Sequence, residues 1–156
     1  MGSLSDIIIN AVYQLWHLFP IIIVIVLFKM FINRRDKVKR KKLNEENEKN
    51  GLTLEVRTVK KYEDIGYKVK KEGLNLICVK GEKIFLIQTN NTIEAKSIHD
   101  EDIKIFYTNA MKYVKENQLE IKNVEFRYVI AYKDALDKSA LRILMDDFYN
   151  CKYVVL

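Results

Sequence analysis

The stretch LNLICVKGEKIFLIQTNNT, residues 74–92, reads as two apolar strands joined by a turn at Gly81, and it ends in Gln88, Thr89, Asn90 and Asn91. These are neutral amides and a hydroxyl, groups that hydrogen-bond phosphate oxygens without carrying charge. Gln88 and Asn90 are two residues apart, so on a strand both side chains leave the same face. Asn90-Asn91 also suits a simple loop, because Asn bonds its own backbone readily. Other residues that do chemistry are scarce: the histidines are His17 and His99, the cysteines Cys78 and Cys151. Two thiols make neither a disulfide framework nor a four-ligand zinc site, and Cys78 sits in an apolar strand pattern as a small core residue. Two histidines leave almost nothing for Ser-His or Cys-His catalysis. His99 lies in SIHDED, where Ser97 and Asp100 have the spacing of a capping box at a helix start.

Charge and apolar residues are segregated along the 156-residue chain. Residues 1–32 carry only Asp6 and Lys29, residues 33–50 carry eight Lys/Arg against four Asp/Glu, and residues 51–156 carry eighteen against sixteen. The high pI therefore belongs to one short stretch, and the rest is not a strongly basic nucleic-acid-binding domain. Ile7–Ile32 is mostly apolar, and its 26 residues reach about 39 Å as a helix, against a hydrocarbon core of about 30 Å. The pattern predicts a transmembrane helix over 7–32, bent at Pro20, with Tyr13, Gln14 and Trp16 near one interface and Lys29 near the other. Asp6 precedes this run, and Arg34, Arg35, Lys37, Lys39, Arg40, Lys41 and Lys42 follow it. That order is the reverse of a cleaved signal peptide. The positive-inside rule then predicts a single-pass protein of the cell inner membrane, with its N-terminus outside and its C-terminal domain cytoplasmic. Residues 33–53 form a basic juxtamembrane stalk, helical or frayed, whose cations attract anionic lipid.

After Gly51 the pattern becomes that of a single domain. LEVRTVKKYEDI spaces Leu54, Val56, Val59, Tyr62 and Ile65 for one helical face. YKVKKEG alternates as a strand, and LNLICVKG and KIFLIQT are apolar almost throughout, as strands covered on both faces must be. DEDIKIFYTNAMKYVKEN has helical spacing through Ile103, Phe106, Ala110, Tyr113 and Val114; VEFRYVIAY is a strand, ALDKSALRILMDDFY a second long helix, and KYVVL a closing strand. The order α-β-β-β-α-β-α-β predicts a three-layer α/β domain over 54–156, its central mixed sheet opening with an antiparallel hairpin and closing with parallel crossovers.

This order, with GYKVKKEG leading into LNLICVKGEKIFLIQTNN, resembles the restriction-endonuclease-like (PD-(D/E)xK) superfamily, most closely its Mrr-type branch, over about residues 54–156. The resemblance implies a Glu on the first helix, an Asp on the second strand, and a third strand ending in Glu or Gln, any residue, then Lys. A typical Mrr-type third strand reads like LIQCKNW; this one reads LIQTNNT. Carried across, the Glu position is Glu55, the Asp position Asn75, the Glu/Gln position Gln88 and the Lys position Asn90, with Thr92 where a Trp often follows. Glu55, Asn75, Gln88 and Asn90 are thus the implied catalytic positions, and Glu55, Asn75 and Gln88 the implied ligands of a magnesium ion.

Phosphodiester hydrolysis in this family uses a divalent cation to activate water and to stabilise charge on phosphate. Magnesium relies on one or two carboxylates plus substrate oxygens. Asn75 keeps the shape of Asp without its charge, and Asn90 lacks the ammonium that would neutralise the phosphate. Glu72 and Glu94, with Lys70, Lys71 or Lys96, are the charges near enough in sequence to compensate. With the predicted span and the small net charge of residues 51–156, the resemblance implies a membrane-anchored module that binds DNA weakly at the cytoplasmic face and is catalytically degenerate. An active magnesium-dependent endonuclease with a rearranged site, or a protein-interaction module that kept only the fold, are the competing expectations.

Overall fold

The computed structural model describes residues 16, 18–73, 75–92 and 95–156. The chain divides between Leu43 and Asn44 into two compact units. Helix α1, Phe19–Lys49, runs through that division. The expected transmembrane helix is corrected here: among the described residues no helix is long and apolar enough to cross a membrane. Residues 7–15 and 17 of the expected span lie outside the described residues. The described apolar part, Phe19–Ile32, is about 21 Å long at 1.5 Å per residue, short of a hydrocarbon core of about 30 Å. The helix then continues directly into Arg34 and Arg35. The single-pass placement in the inner membrane loses its support with the span. Pro20 falls in the first turn of α1, where its missing N–H is no loss, so it marks a helix start and not a bend.

The second unit is a mixed α/β fold on one five-stranded sheet ordered β1-β2-β3-β4-β5. Its elements are α2 (Leu54–Asp64), β1 (Lys68–Glu72), β2 (Asn75–Lys80), β3 (Lys83–Asn90), α3 (Asp100–Glu116), β4 (Val124–Ile130), α4 (Lys138–Leu144) and β5 (Cys151–Val155). Strands β1, β2 and β3 pair antiparallel, while β3–β4 and β4–β5 pair parallel across the crossovers through α3 and α4. Gly81 turns the β2–β3 hairpin at φ +59°, a left-handed conformation that a side chain would strain. Lys68, Lys70 and Lys71 keep the open edge of β1 charged, which discourages pairing with another strand.

Each face of the sheet has its own core. On one face α2 supplies Leu54 and Tyr62 against Leu76, Cys78, Ile87 and Val129. On the other, α3 and α4 supply Ile103, Phe106, Ala110, Val114, Ala140 and Leu144 against Ile77, Leu86, Phe126, Tyr128 and Ile130. The buried stripe of α2 is Leu54–Thr58–Tyr62, a strict four-residue repeat, so Leu54 and Tyr62 of the expected face are buried and Val59 packs beside them. Val56 is exposed because a residue two places off that stripe turns toward solvent, and Ile65 is exposed as the C-cap past the last helical residue. Thr58 is buried because its hydroxyl donates to the Leu54 carbonyl at 2.7 Å. The expected long helix near the C-terminus is only seven residues, Lys138–Leu144. Asp137 caps its start by accepting from Ala140 N, and Asp146 accepts from Phe148 N in a separate 3-10 turn before Asn150 enters left-handed backbone.

Candidate functional site

The strand register lines up one polar residue from each strand across the whole sheet. Glu72 faces Asn75, Asn75 faces Gln88, Gln88 faces Tyr128 and Tyr128 faces Tyr153. Paired residues share a face, and this row lies on the side covered by α3 and α4, alternating with Leu76, Ile87 and Val129 of the opposite face. Asn90 is two residues beyond Gln88 and belongs to the same side. Asn75, Gln88 and Asn90, three of the four residues singled out in the sequence, are therefore brought to one face at one end of the sheet, all half-buried.

Asn90 is already engaged. Its Nδ2 donates to the Tyr128 hydroxyl at 3.1 Å, and its Oδ1 accepts from Thr92 N at 3.0 Å, closing a turn at the strand end. Tyr128 is buried, which raises its pKa, and the bond from Asn90 offsets part of that rise. Asn91 points elsewhere, accepting on Oδ1 from Asn44 Nδ2 at 3.0 Å. The amide cluster thus separates into a strand-ending residue, a long-range tether and the pair Asn75 and Gln88.

Glu55 is not with them. It sits in the first turn of α2, on the opposite face, and pairs with Lys71 Nζ through Oε1 at 2.7 Å and Oε2 at 2.9 Å. Lys71 faces Leu76, whose side chain packs under α2, so the pair lies behind the sheet from Asn75. The implied magnesium ligands Glu55, Asn75 and Gln88 do not form one donor set. Among the described residues, no group of three or more His, Cys, Asp or Glu side chains gathers to hold a metal ion.

Glu72 is the carboxylate that reaches the row. It lies beside Asn75 and pairs with Lys70 Nζ at 3.3 Å, both exposed. Tyr113 of α3 closes over it: burial raises the Tyr113 pKa, and the charge of Glu72 and its hydrogen bond raise it further, against Lys70. Tyr113, Tyr128 and Tyr153 carried no sequence signal beyond their place in apolar patterns, because only the register puts them beside amides. Glu94 lies outside the described residues. Lys96 is exposed in left-handed backbone (φ 58°), with its N–H on the Asp134 carbonyl.

One trio imitates a catalytic triad. His99 Nδ1 and Asp137 Oδ2 are 2.6 Å apart, and Ser139 Oγ donates to Asp137 Oδ1 at 2.6 Å. The carboxylate stands between the other two, so the imidazole does not meet the hydroxyl and cannot take its proton. These groups serve as caps: His99 N donates to Asp102 Oδ2 at 2.8 Å, and Asp100 N to Ser139 Oγ at 3.1 Å. The capping box thus runs from His99 to Asp102 and replaces the expected Ser97–Asp100 pair, while Ser97 Oγ meets Thr92 Oγ1 at 3.1 Å. Cys78 and Cys151 are buried on opposite faces, and burial pushes both thiols up to about 12, out of the range of reactive thiolates.

No protein-family model matches the chain. No curated protein and no solved structure matches it either.

Proposed function

We propose that the folded unit is a restriction-endonuclease-like module that binds nucleic acid, with DNA as the expected form, and does not cut it efficiently. The observation that carries this reading is the polar row: Asn75 and Gln88 offer amides on one face, while Glu55 is held by Lys71 on the other. Amides bond phosphate oxygens and position a backbone, but without clustered carboxylates they do not hold magnesium. Charge supports the same reading. Residues 51–83 carry eight cations against five acids, whereas residues 84–156 carry ten against eleven. The positive half is therefore the half that contains β1, β2 and the start of the row. Binding of this kind is weak and salt-sensitive. The exposed cations from Arg34 to Lys42 support an added attraction to anionic lipid, which needs no spanning helix.

A second reading, magnesium-dependent cleavage by a rearranged site, rests on Glu72 beside Asn75 with Lys70 next to it. One experiment separates the two. The full chain is titrated with a fluorescent duplex at low and high salt, and incubated with plasmid in magnesium or manganese. Salt-sensitive binding with intact plasmid supports the first reading. Cleavage lost in Glu72→Gln establishes the second, and no binding at low salt leaves the fold as a protein-interaction module. Asn75→Asp sets a second carboxylate opposite Glu72 and is expected to create a measurable magnesium affinity, read by calorimetry.

A further inference from the structure

The end of α1, the second turn of α2 and the loop after β3 meet in a polar node that neither apolar core requires. Asn44 is 5 % exposed, although it lies in a stretch that reads from sequence as a solvated stalk. Its Nδ2 donates to Asn91 Oδ1 at 3.0 Å, its Oδ1 accepts from Arg57 Nη2, and the Tyr132 side chain is hydrogen-bonded to it. Beside these bonds, the Nε of Arg57 is buried with no partner. A buried donor left unmet destabilises the fold, and more so when the group is charged. Such an atom in a folded protein calls for a physical reason.

The shape of the guanidinium supplies one. Arginine presents N–H groups in a fixed fork that fits two oxygens of a carboxylate or phosphate at once. Here one prong holds the neutral carbonyl oxygen of Asn44, and Nε, in the same plane, holds nothing. The node also lies where β3 and β4 end: Asn91 follows β3, and Tyr132 follows β4 by two residues. The carboxyl ends of parallel strands are where open α/β sheets receive ligands. Asn91 brings an amide N–H to the same place while its oxygen is used by Asn44.

We propose that Arg57 is a phosphate-binding residue and that Asn44 is a plug occupying the seat of the phosphate. An arriving phosphate displaces the Asn44 carbonyl, takes Nη2 and Nε together, and gains the Asn91 amide as a third donor. Asn44 closes the seat with a neutral group of the right reach, so the cation is not left bare when the ligand is away. This assignment does not depend on the nucleic-acid reading above, since a lipid headgroup or free phosphate presents the same oxygens.

The test follows the Arg57 Nε–H resonance of the ¹⁵N-labelled full chain as inorganic phosphate is added. Phosphate is expected to shift that resonance saturably. Asn44→Ala is expected to tighten phosphate roughly tenfold, the worth of one neutral hydrogen bond no longer displaced. Asn44→Asp places a carboxylate on the guanidinium and should abolish the response while keeping the shape of the node. Arg57→Gln should lose phosphate binding altogether. If Asn44→Ala fails to fold, wild type against Asn44→Asp still decides. A resonance that phosphate leaves unmoved in wild type and Asn44→Ala, or moves equally in Asn44→Asp, overturns the proposal. Two further arms name the source, a duplex oligonucleotide and phosphatidylglycerol vesicles. Arg57→Gln weakening only the duplex assigns nucleic acid, and weakening only the vesicles assigns a headgroup. Weakening neither, with inorganic phosphate still bound, leaves a free-phosphate site.

Discussion

On the α3–α4 face the sheet closes over a thick aromatic core, with Phe106 edge-on to both Phe126 and Tyr128 at 6.4 and 5.8 Å between ring centres. The α2 face is covered by one helix of three turns, whose Tyr62 meets Tyr67 and Phe85 in a smaller aromatic group. The difference shows in how each face treats polar groups. On the thick face Asn90 is fixed between Tyr128 and the backbone of Thr92, so its amide is part of the packing. On the α2 side the polar node of Asn44, Asn91 and Arg57 retains a buried unmet donor. A face with surplus apolar burial can hold its polar groups in fully bonded positions, and a thinly covered face is where an incompletely satisfied group persists.

The comparison is tested hardest by removing an aromatic ring from the thick face. Phe106→Ala is expected to lower unfolding free energy by about 3–5 kcal/mol, the range for a fully buried Phe, measured by urea denaturation. Leu54→Ala on the α2 face should cost less, at about 2–4 kcal/mol, and a larger loss there would reverse the ranking of the two cores. Next in size is Asn90→Ala, which strands the buried Tyr128 hydroxyl and opens the strand-end turn. It should cost about 1–3 kcal/mol, while Asn75→Ala stays near neutral. Equal losses at the two positions would mean that packing depends on the Asn75 amide no less than on that of Asn90.

Smaller effects belong to the surface. Glu55→Gln removes the partner of Lys71 in an exposed pair and should change stability by no more than about 1 kcal/mol. Chemical shifts of Asn75 and Gln88 should stay in place, because the pair lies behind the sheet from them. Movement of those shifts would show that the two faces communicate through β1 and β2. The smallest effect is one of pH. The hydrogen bond to Asp137 holds His99 above its ordinary pKa, and the charges of Asp137, Asp102 and Asp100 add to this. A group whose pKa is raised on folding stabilises fully below its unfolded value of about 6.5, and that contribution fades as pH rises through the folded value. The melting temperature of wild type should therefore fall slightly against that of His99→Gln as pH rises from about 6 to 8. Parallel melting curves for the two proteins across that range would remove His99 from the account.

What the sequence by itself determined is local. Glycines at turns, apolar runs of strand length and helical spacing at Ile103, Phe106, Ala110 and Val114 mark where β2, β3 and α3 lie, because each signal is carried by neighbours in the chain. The same local reading merged a seven-residue helix with its flanking 3-10 turns, since pattern alone does not show where backbone caps intervene. Only the tertiary structure decided what the polar residues do. Strand register, not spacing, brings Glu72 and Tyr128 into line with Asn75 and Gln88, and the packing of α2 on the other face takes Glu55 away from them. Asn90 and Asn91 are adjacent and identical in sequence, yet one is bound to Tyr128, 38 residues away, and the other to Asn44, 47 residues away. A hydrogen bond across that distance depends on how two packed layers meet, and no neighbouring residue in the chain encodes its direction.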